Sequence, residues 1–413
     1  MNLLFKRKLP AVLAALLLVS GPGLFADQEY YDDSEEYYDD EEYYEDEEYS
    51  EEDPVFEIVR SGTLEEIKSS LTEKKDGDGN SLLMIACSND RGKDIISYLI
   101  SSGFAVDARN YFGVSPLMFA CAYSSDADVV NLLLKQGAKI NSTDDNGQTP
   151  LMYAATNGNM DIFRMLVKLQ ADVRAKDENR MSVLAYACTN PSVTADAVAT
   201  LLKAGLDVNE ASSDGQTPFM KAAAAVPSVE ILDMLVKAGA KVNTADEYGT
   251  TPLMFACSAN PDTGIVKLLL RAGAEVNVPD DYRYTALMYA IYNENAAETV
   301  PLLLKAGARA NVTGNDGYNP LVMAAWFARV ELVSVFIKAG VPVNAVDDSG
   351  KSALIHACEQ AEGPDVLLAL LSAGADPSII DESGRNAASY AADNEYLADD
   401  PVLERLESPF SML

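Results

Sequence analysis

From about residue 76 to the end of the chain, apolar and polar positions follow one scheme that returns every 33 to 35 residues, ten times over. Each unit opens with a polar turn that passes through Gly and leads into an apolar run. Asp78-Gly79-Asn80-Ser81-Leu82-Leu83-Met84 is the first, followed by Gly113-Val114-Ser115-Pro116-Leu117-Met118 and Gly147-Gln148-Thr149-Pro150-Leu151-Met152. The motif recurs at Gly215, Gly249 and Gly317, with worn copies from Arg180, Arg283, Gly350 and Gly384. The run after the turn predicts a short apolar helix, as in Leu151-Met152-Tyr153-Ala154-Ala155. A second helix follows, as in Ile265 to Arg271, and ends in Ala272-Gly273-Ala274-Glu275-Val276-Asn277. Gly just past a helix supplies the left-handed residue that closes it. That Gly stands at 103, 137, 205, 239, 273, 307, 340 and 374, whereas the third repeat has Gln170. A period of this size means that each unit buries its apolar face only by stacking on its neighbours.

The turn, the paired Ala, the Leu run and the Gly-Ala-x-Val-Asn ending resemble the ankyrin-repeat family over roughly residues 55–413. The resemblance implies an all-α repeat solenoid of stacked helix-turn-helix units with short β-hairpin tips, and a role in binding other proteins. One departure is regular. The family places His after the Thr-Pro-Leu of the turn and bonds it within the turn; Met84, Met118, Met152, Met220, Met254 and Met288 stand there in this chain. A flexible thioether in that slot is expected to pack as apolar filler. The ends are expected to be caps: 54–75 as a helix pair lacking its turn, 76–381 as the repeats, and 382–413 as a closing repeat. That last repeat keeps Tyr390-Ala391-Ala392 but exchanges its second Leu run for Asp399-Asp400-Pro401.

Ahead of the repeats lie two segments of different composition. Residues 1–26 read as an export signal: basic Lys6, Arg7 and Lys8, eleven residues from Leu9 to Val19, then Gly21-Pro22-Gly23 and a small Ala26 at the cut. Eleven residues fall short of the roughly 20 that span a bilayer, so no membrane span is expected after cleavage. Residues 27–53 hold seventeen Asp and Glu with seven Tyr and no Lys or Arg, a composition expected to be disordered. Such a segment serves as a solvating bristle or, alternatively, as a lure for cations and basic proteins; the general behaviour of charge runs favours the bristle. The formal net charge is −33, which argues against nucleic acid as a partner. These features place the protein outside the cytoplasm, in a periplasm or secreted.

The residue inventory offers little chemistry. Cys87, Cys121, Cys188, Cys257 and Cys358 all sit eight residues after the turn Gly or its replacement, where other copies carry Ala155, Ala223, Ala325 or Ala392. Cys there is a small buried hydrophobe. Neighbouring slots, about 8–10 Å apart, are too distant for a bridge. His356 is the one histidine, in the slot held elsewhere by Phe119, Tyr153 or Phe255, and reads as a packing residue. Asp76-Gly77-Asp78-Gly79-Asn80 resembles the start of a calcium loop, but its twelfth position is Cys87 where a Glu is needed. No catalytic site, cofactor or metal is expected, and an enzyme is the weakest alternative.

Comparison of the ten copies separates scaffold from surface. The slots around the turn Gly and just after the Ala pair vary, and most are small: Ser88, Thr156, Thr189, Ala224, Ser258. In repeats six to eight they become aromatic: Tyr248, Tyr282, Tyr284, Tyr292, Tyr318, Trp326 and Phe327. A lesser group in repeat two is Tyr111, Phe112 and Tyr123. Tyr and Trp anchors dominate interface energetics, so these ten are the candidate partner-binding residues. The competing reading folds Tyr292 or Phe327 back onto the neighbouring repeat. A separate stripe, Phe119, Tyr153, Tyr186, Phe255 and Tyr289, reads as half-buried framework. Glu247, Asp280, Asp281 and Asp316 flank the main group, so the expected partner is a protein with basic and apolar surface, bound by a monomer. A secreted effector that engages a host protein is the alternative setting.

Overall fold

The structure, a computed structural model, describes residues 53–72, 75–226, 228–360, 362–398 and 400–407; residues 1–26, expected as an export signal, and nearly all of the acidic segment lie outside them. The described chain divides into two compact blocks at Leu206/Asp207, an N-terminal block with repeats one to four and a C-terminal block with repeats five to ten. Within each block the architecture is an all-α repeat solenoid, with an inner helix after each turn and an outer helix returning beside it. The β-hairpin tips are minor. They reduce to single antiparallel bridges, such as Pro279 with Thr285, and five such bridges occur among the described residues.

Repeat six shows why the sequence folds this way. Thr251 caps the inner helix Pro252–Ala259, and Pro at the first helical position already has the required φ and lacks an N–H that would go unpaired. Pro252, Leu253, Met254, Phe255, Ala256 and Cys257 are buried, leaving Ser258 half-exposed and Ala259 exposed. The outer helix Thr263–Arg271 buries Ile265, Val266, Leu268 and Leu269, the spacing of a single apolar stripe. Both termini carry helices. Pro54–Ser61 and Leu64–Ser70 form the expected pair, tied to repeat one by Arg91, which donates to the carbonyls of Arg60 and Gly62. At the other end the lost Leu run still yields a second helix, Val402–Glu407, with Val402 and Leu406 buried.

The Met slot corrects its expectation. In repeats one, two, three, five and six the Met sulfur accepts the backbone N–H of the capping Ser or Thr at 3.3–3.4 Å. The cap hydroxyl in turn accepts the Met N–H. Met therefore completes a reciprocal capping box in which Glu or Gln is the usual partner. It is buried, as expected, but it is a polar partner as well as filler. Met288 differs: Thr285 forms no side-chain cap, and its hydroxyl is buried without a partner.

Two polar ladders run along the stack and escaped the sequence reading. Asn157, Asn190, Asn260, Asn293 and Asn394 each donate an amide N–H to a carbonyl of the preceding repeat, as in Asn260 to Ala223 at 2.8 Å. On the far side, Asn209, Asn243 and Asn277 donate to the carbonyl of the next repeat's closing Gly. Those carbonyls belong to the residue just past each outer helix's C-cap.

The closing residue of repeat three is left-handed, as the sequence implies: Gln170 has φ +63°. Arg180 at +60° and Arg283 at +64° hold the same conformation where the other eight turns use Gly. A non-Gly residue there costs about 1–2 kcal/mol, against the roughly 0.4–1 kcal/mol that Gly adds through unfolded-chain entropy. Gln170→Gly should raise the thermal unfolding midpoint, and scanning calorimetry reads it; an unchanged or lower midpoint contradicts the strain.

All five cysteines are buried and unbridged. Burial pushes every thiol up, Cys188 and Cys358 to about 12, so thiolate is scarce at neutral pH. Thiol titration of the native protein should be slow and should find five groups only in denaturant. A disulfide in a peptide map would break the repeat register.

Candidate interaction face of repeats six to eight

A buried aspartate braces six of the ten hairpin tips, at Asp144, Asp177, Asp246, Asp280, Asp347 and Asp381; Asn110, Ser212 and Gly314 stand in its place in repeats two, five and eight. Asp280 accepts the backbone N–H of Tyr282 at 3.0 Å and of Tyr284 at 2.7 Å with one oxygen, and the Tyr289 hydroxyl at 2.7 Å with the other. Asp246 holds Tyr248 and Thr250 in the same way. Burial raises both carboxyls, with the hydrogen bonds pulling the other way. The pairing recurs as Asp144 with Tyr153, Asp177 with Tyr186 and Asp381 with Tyr390, always nine residues apart, so the aromatic stripe after the Met slot is framework. Asp280, expected as a flanking surface acid, is instead an interior turn brace. Asp76 does the same work in repeat one, accepting from Asp78 and Asn80, so the calcium-like stretch is a hairpin tip.

Successive tips are tied by backbone bonds. Glu247 N–H donates to Asp214, Asp281 to Tyr248 and Asn315 to Tyr282, at 2.9–3.1 Å. Asn315 adds a side-chain bond to the Asp281 carbonyl at 3.0 Å. Equivalent residues of neighbouring repeats are thereby held in phase.

The aromatic group divides into three. Tyr248 and Tyr282 are 41% and 40% exposed, in equivalent positions of adjacent tips. Glu247 and Asp281, the residues just before them, are exposed as well. Tyr284 corrects the expectation: it is only 5% exposed, and its hydroxyl donates to Asp316. Gly314 makes the room, since a Cβ there would stand 2.9 Å from the Tyr284 ring. Tyr284 is therefore framework, and it engages Asp316, the fourth flanking acid.

Tyr292, Tyr318, Trp326 and Phe327 are half-buried and stack across repeats. Tyr292 meets Phe327 edge-on at 4.9 Å, Tyr318 lies 6.0 Å from Trp326, and both of those rings contact His356, at 5.5 and 4.8 Å. The competing reading, that Tyr292 and Phe327 pack on the neighbouring repeat, describes that contact. His356 is buried, with Nε2 2.6 Å from Asp347, so it takes the Tyr place in the Asp–Tyr pairing. Hydrogen bonds from His356, Ser349 and the Lys351 backbone outweigh burial and lower the Asp347 carboxyl. Beyond it, Lys351 and Arg385 both lie over the Tyr390 ring, at 4.7 and 3.9 Å, with Lys351 paired to Glu359 and Arg385 to Asp393. These charged pairs were missed, although Lys351 and Arg385 occupy the same slot, one after the turn Gly, as Tyr284 and Tyr318.

In the N-terminal block, Tyr111 and Phe112 are exposed on the tip of repeat two, and the Tyr111 ring covers the turn at Gly79. Tyr123 is also exposed and stacks on Phe119 at 6.4 Å.

The ankyrin-repeats (3 copies) family model matches overlapping stretches from residue 55 to residue 381: 55–144, 122–212, 169–246, 192–280, 219–313 and 287–381. The chain belongs to the ankyrin-repeat family. It is thus of a class of protein–protein interaction scaffolds that are generally not catalytic. No curated protein matches the chain. Among the described residues of these ankyrin repeats, no group of three or more His, Cys, Asp or Glu is placed to hold a metal, and no helix is long and apolar enough to cross a membrane.

Proposed function

We propose that this ankyrin-repeat chain is an exported scaffold that holds another protein against the tips and inner helices of repeats six to eight. Export rests on the basic and apolar character of residues 1–26. The contact face rests on one observation above others: Tyr248 and Tyr282 are exposed side by side on tips braced by Asp246 and Asp280. A braced aromatic presents its surface with little entropy left to lose, which favours binding. The half-buried Tyr292, Tyr318, Trp326 and Phe327 extend that surface onto the inner helices. With Glu247 and Asp281 exposed beside the rings, a partner with basic and apolar surface fits.

Affinity capture from envelope extract and from culture medium, with wild type and a Tyr248→Ala/Tyr282→Ala variant, tests both parts. A partner retained by wild type should bind the variant about thirtyfold more weakly, with unchanged circular dichroism. Equal retention of that partner by the variant moves the contact face elsewhere. Intact mass of the exported form reads the cleavage, expected after Ala26.

A further inference from the structure

The two exposed tyrosines do not stand alone: each follows an exposed carboxylate, as Glu247-Tyr248 and Asp281-Tyr282. The neighbouring Glu247 carboxylate holds the Tyr248 hydroxyl above its ordinary pKa. The Asp281 N–H bonds the Tyr248 carbonyl at 3.0 Å, so the second pair repeats the first one step along the stack. A carboxylate beside an exposed π face attracts a cation twice over, by charge and by the ring quadrupole.

We propose that Glu247-Tyr248 and Asp281-Tyr282 are two successive receptors for cationic side chains, and that the partner enters as a segment in polyproline II conformation with Lys or Arg at every third position, which that helix returns to one face. The spacing follows from the stack. Packed helices of neighbouring repeats lie roughly 8–10 Å apart, and one three-residue turn of polyproline II spans about 9 Å. Charge excludes a second copy as the occupant, because the chain carries a formal −33. The proposal rests on repeats six to eight being the contact face and names the chemistry that this face selects.

The test uses two synthetic peptides of identical composition, one with Arg at every third position of an Ala/Gly/Ser chain and one with the Arg residues contiguous. Each carries a fluorophore and a photo-crosslinking residue, and each is titrated into the full chain at physiological ionic strength. The acidic Asp27–Asp53 segment attracts both peptides alike, so the informative quantity is their difference. The spaced peptide should bind about tenfold more tightly and crosslink within residues 246–250 and 280–284. Tyr248→Ala/Tyr282→Ala should erase the preference without changing the net charge, and Tyr248→Phe/Tyr282→Phe should keep it, because the ring does the binding. Equal affinities, a preference that survives the Ala variant, a preference lost in the Phe variant, or spaced-peptide crosslinks to the repeats that miss those tips each overturn the proposal. A captured partner that still depends on Tyr248 and Tyr282 while the peptides show no spacing preference would leave the contact face standing and remove this account of it.

Discussion

Tyr284→Ala should destabilise the C-terminal block by about 3–5 kcal/mol, the range for truncating a large buried aromatic, while leaving the exposed face intact. Its ring is enclosed, and its hydroxyl satisfies Asp316. Removal leaves a cavity and takes the donor from Oδ2 of Asp316, whose Oδ1 still accepts the Tyr318 N–H. Tyr284→Phe isolates the hydroxyl and should cost about 1–2 kcal/mol. Tyr282→Ala, two residues away and 40% exposed, should stay within about 0.5 kcal/mol of wild type. Urea denaturation of the three variants separates them. A Tyr284→Ala protein with wild-type stability would put that ring on the surface after all.

Asp280→Ala should cost about 3 kcal/mol or more, since three donors lose their acceptor at once: the N–H groups of Tyr282 and Tyr284 and the Tyr289 hydroxyl. Asn keeps one acceptor oxygen for the backbone pair, so Asp280→Asn should lose about half as much. The effect should extend to partner affinity, because the braced tip presents Tyr282. A variant that keeps full stability would show that the tip is held by the backbone ladder alone.

The repeat, its helices and its left-handed turns were legible because they are local. Gly at ten turns or its replacement by Arg180 and Arg283, Pro at the first helical position and Gln170 at a helix end each state a backbone requirement in one residue type. What the sequence left ambiguous depends on contacts between repeats. Tyr248, Tyr282 and Tyr284 read alike as aromatics near a turn, yet Gly314, one repeat further on, opens the space into which Tyr284 folds. Asp280 looked like its surface neighbours because its interior role lies in three bonds, one of them to Tyr289 nine residues on. That interval was visible in four other pairs, including Asp347 with His356, and would have marked these acids as braces. The Met sulfur as a capping acceptor was harder to see, since a thioether is only a weak hydrogen-bond acceptor. The Asn ladders satisfy carbonyls 30 or more residues away and carry no local signal.

Hydrogen–deuterium exchange of the protein with and without its captured partner tests the contact face most directly. The account predicts slower exchange at the tips 246–250 and 280–284 and in the inner helices Ala286–Tyr292 and Pro320–Trp326, with the outer helices Thr263–Arg271 and Val330–Lys338 unchanged. Protection confined to the outer helices, or absent from repeats six to eight, would contradict it.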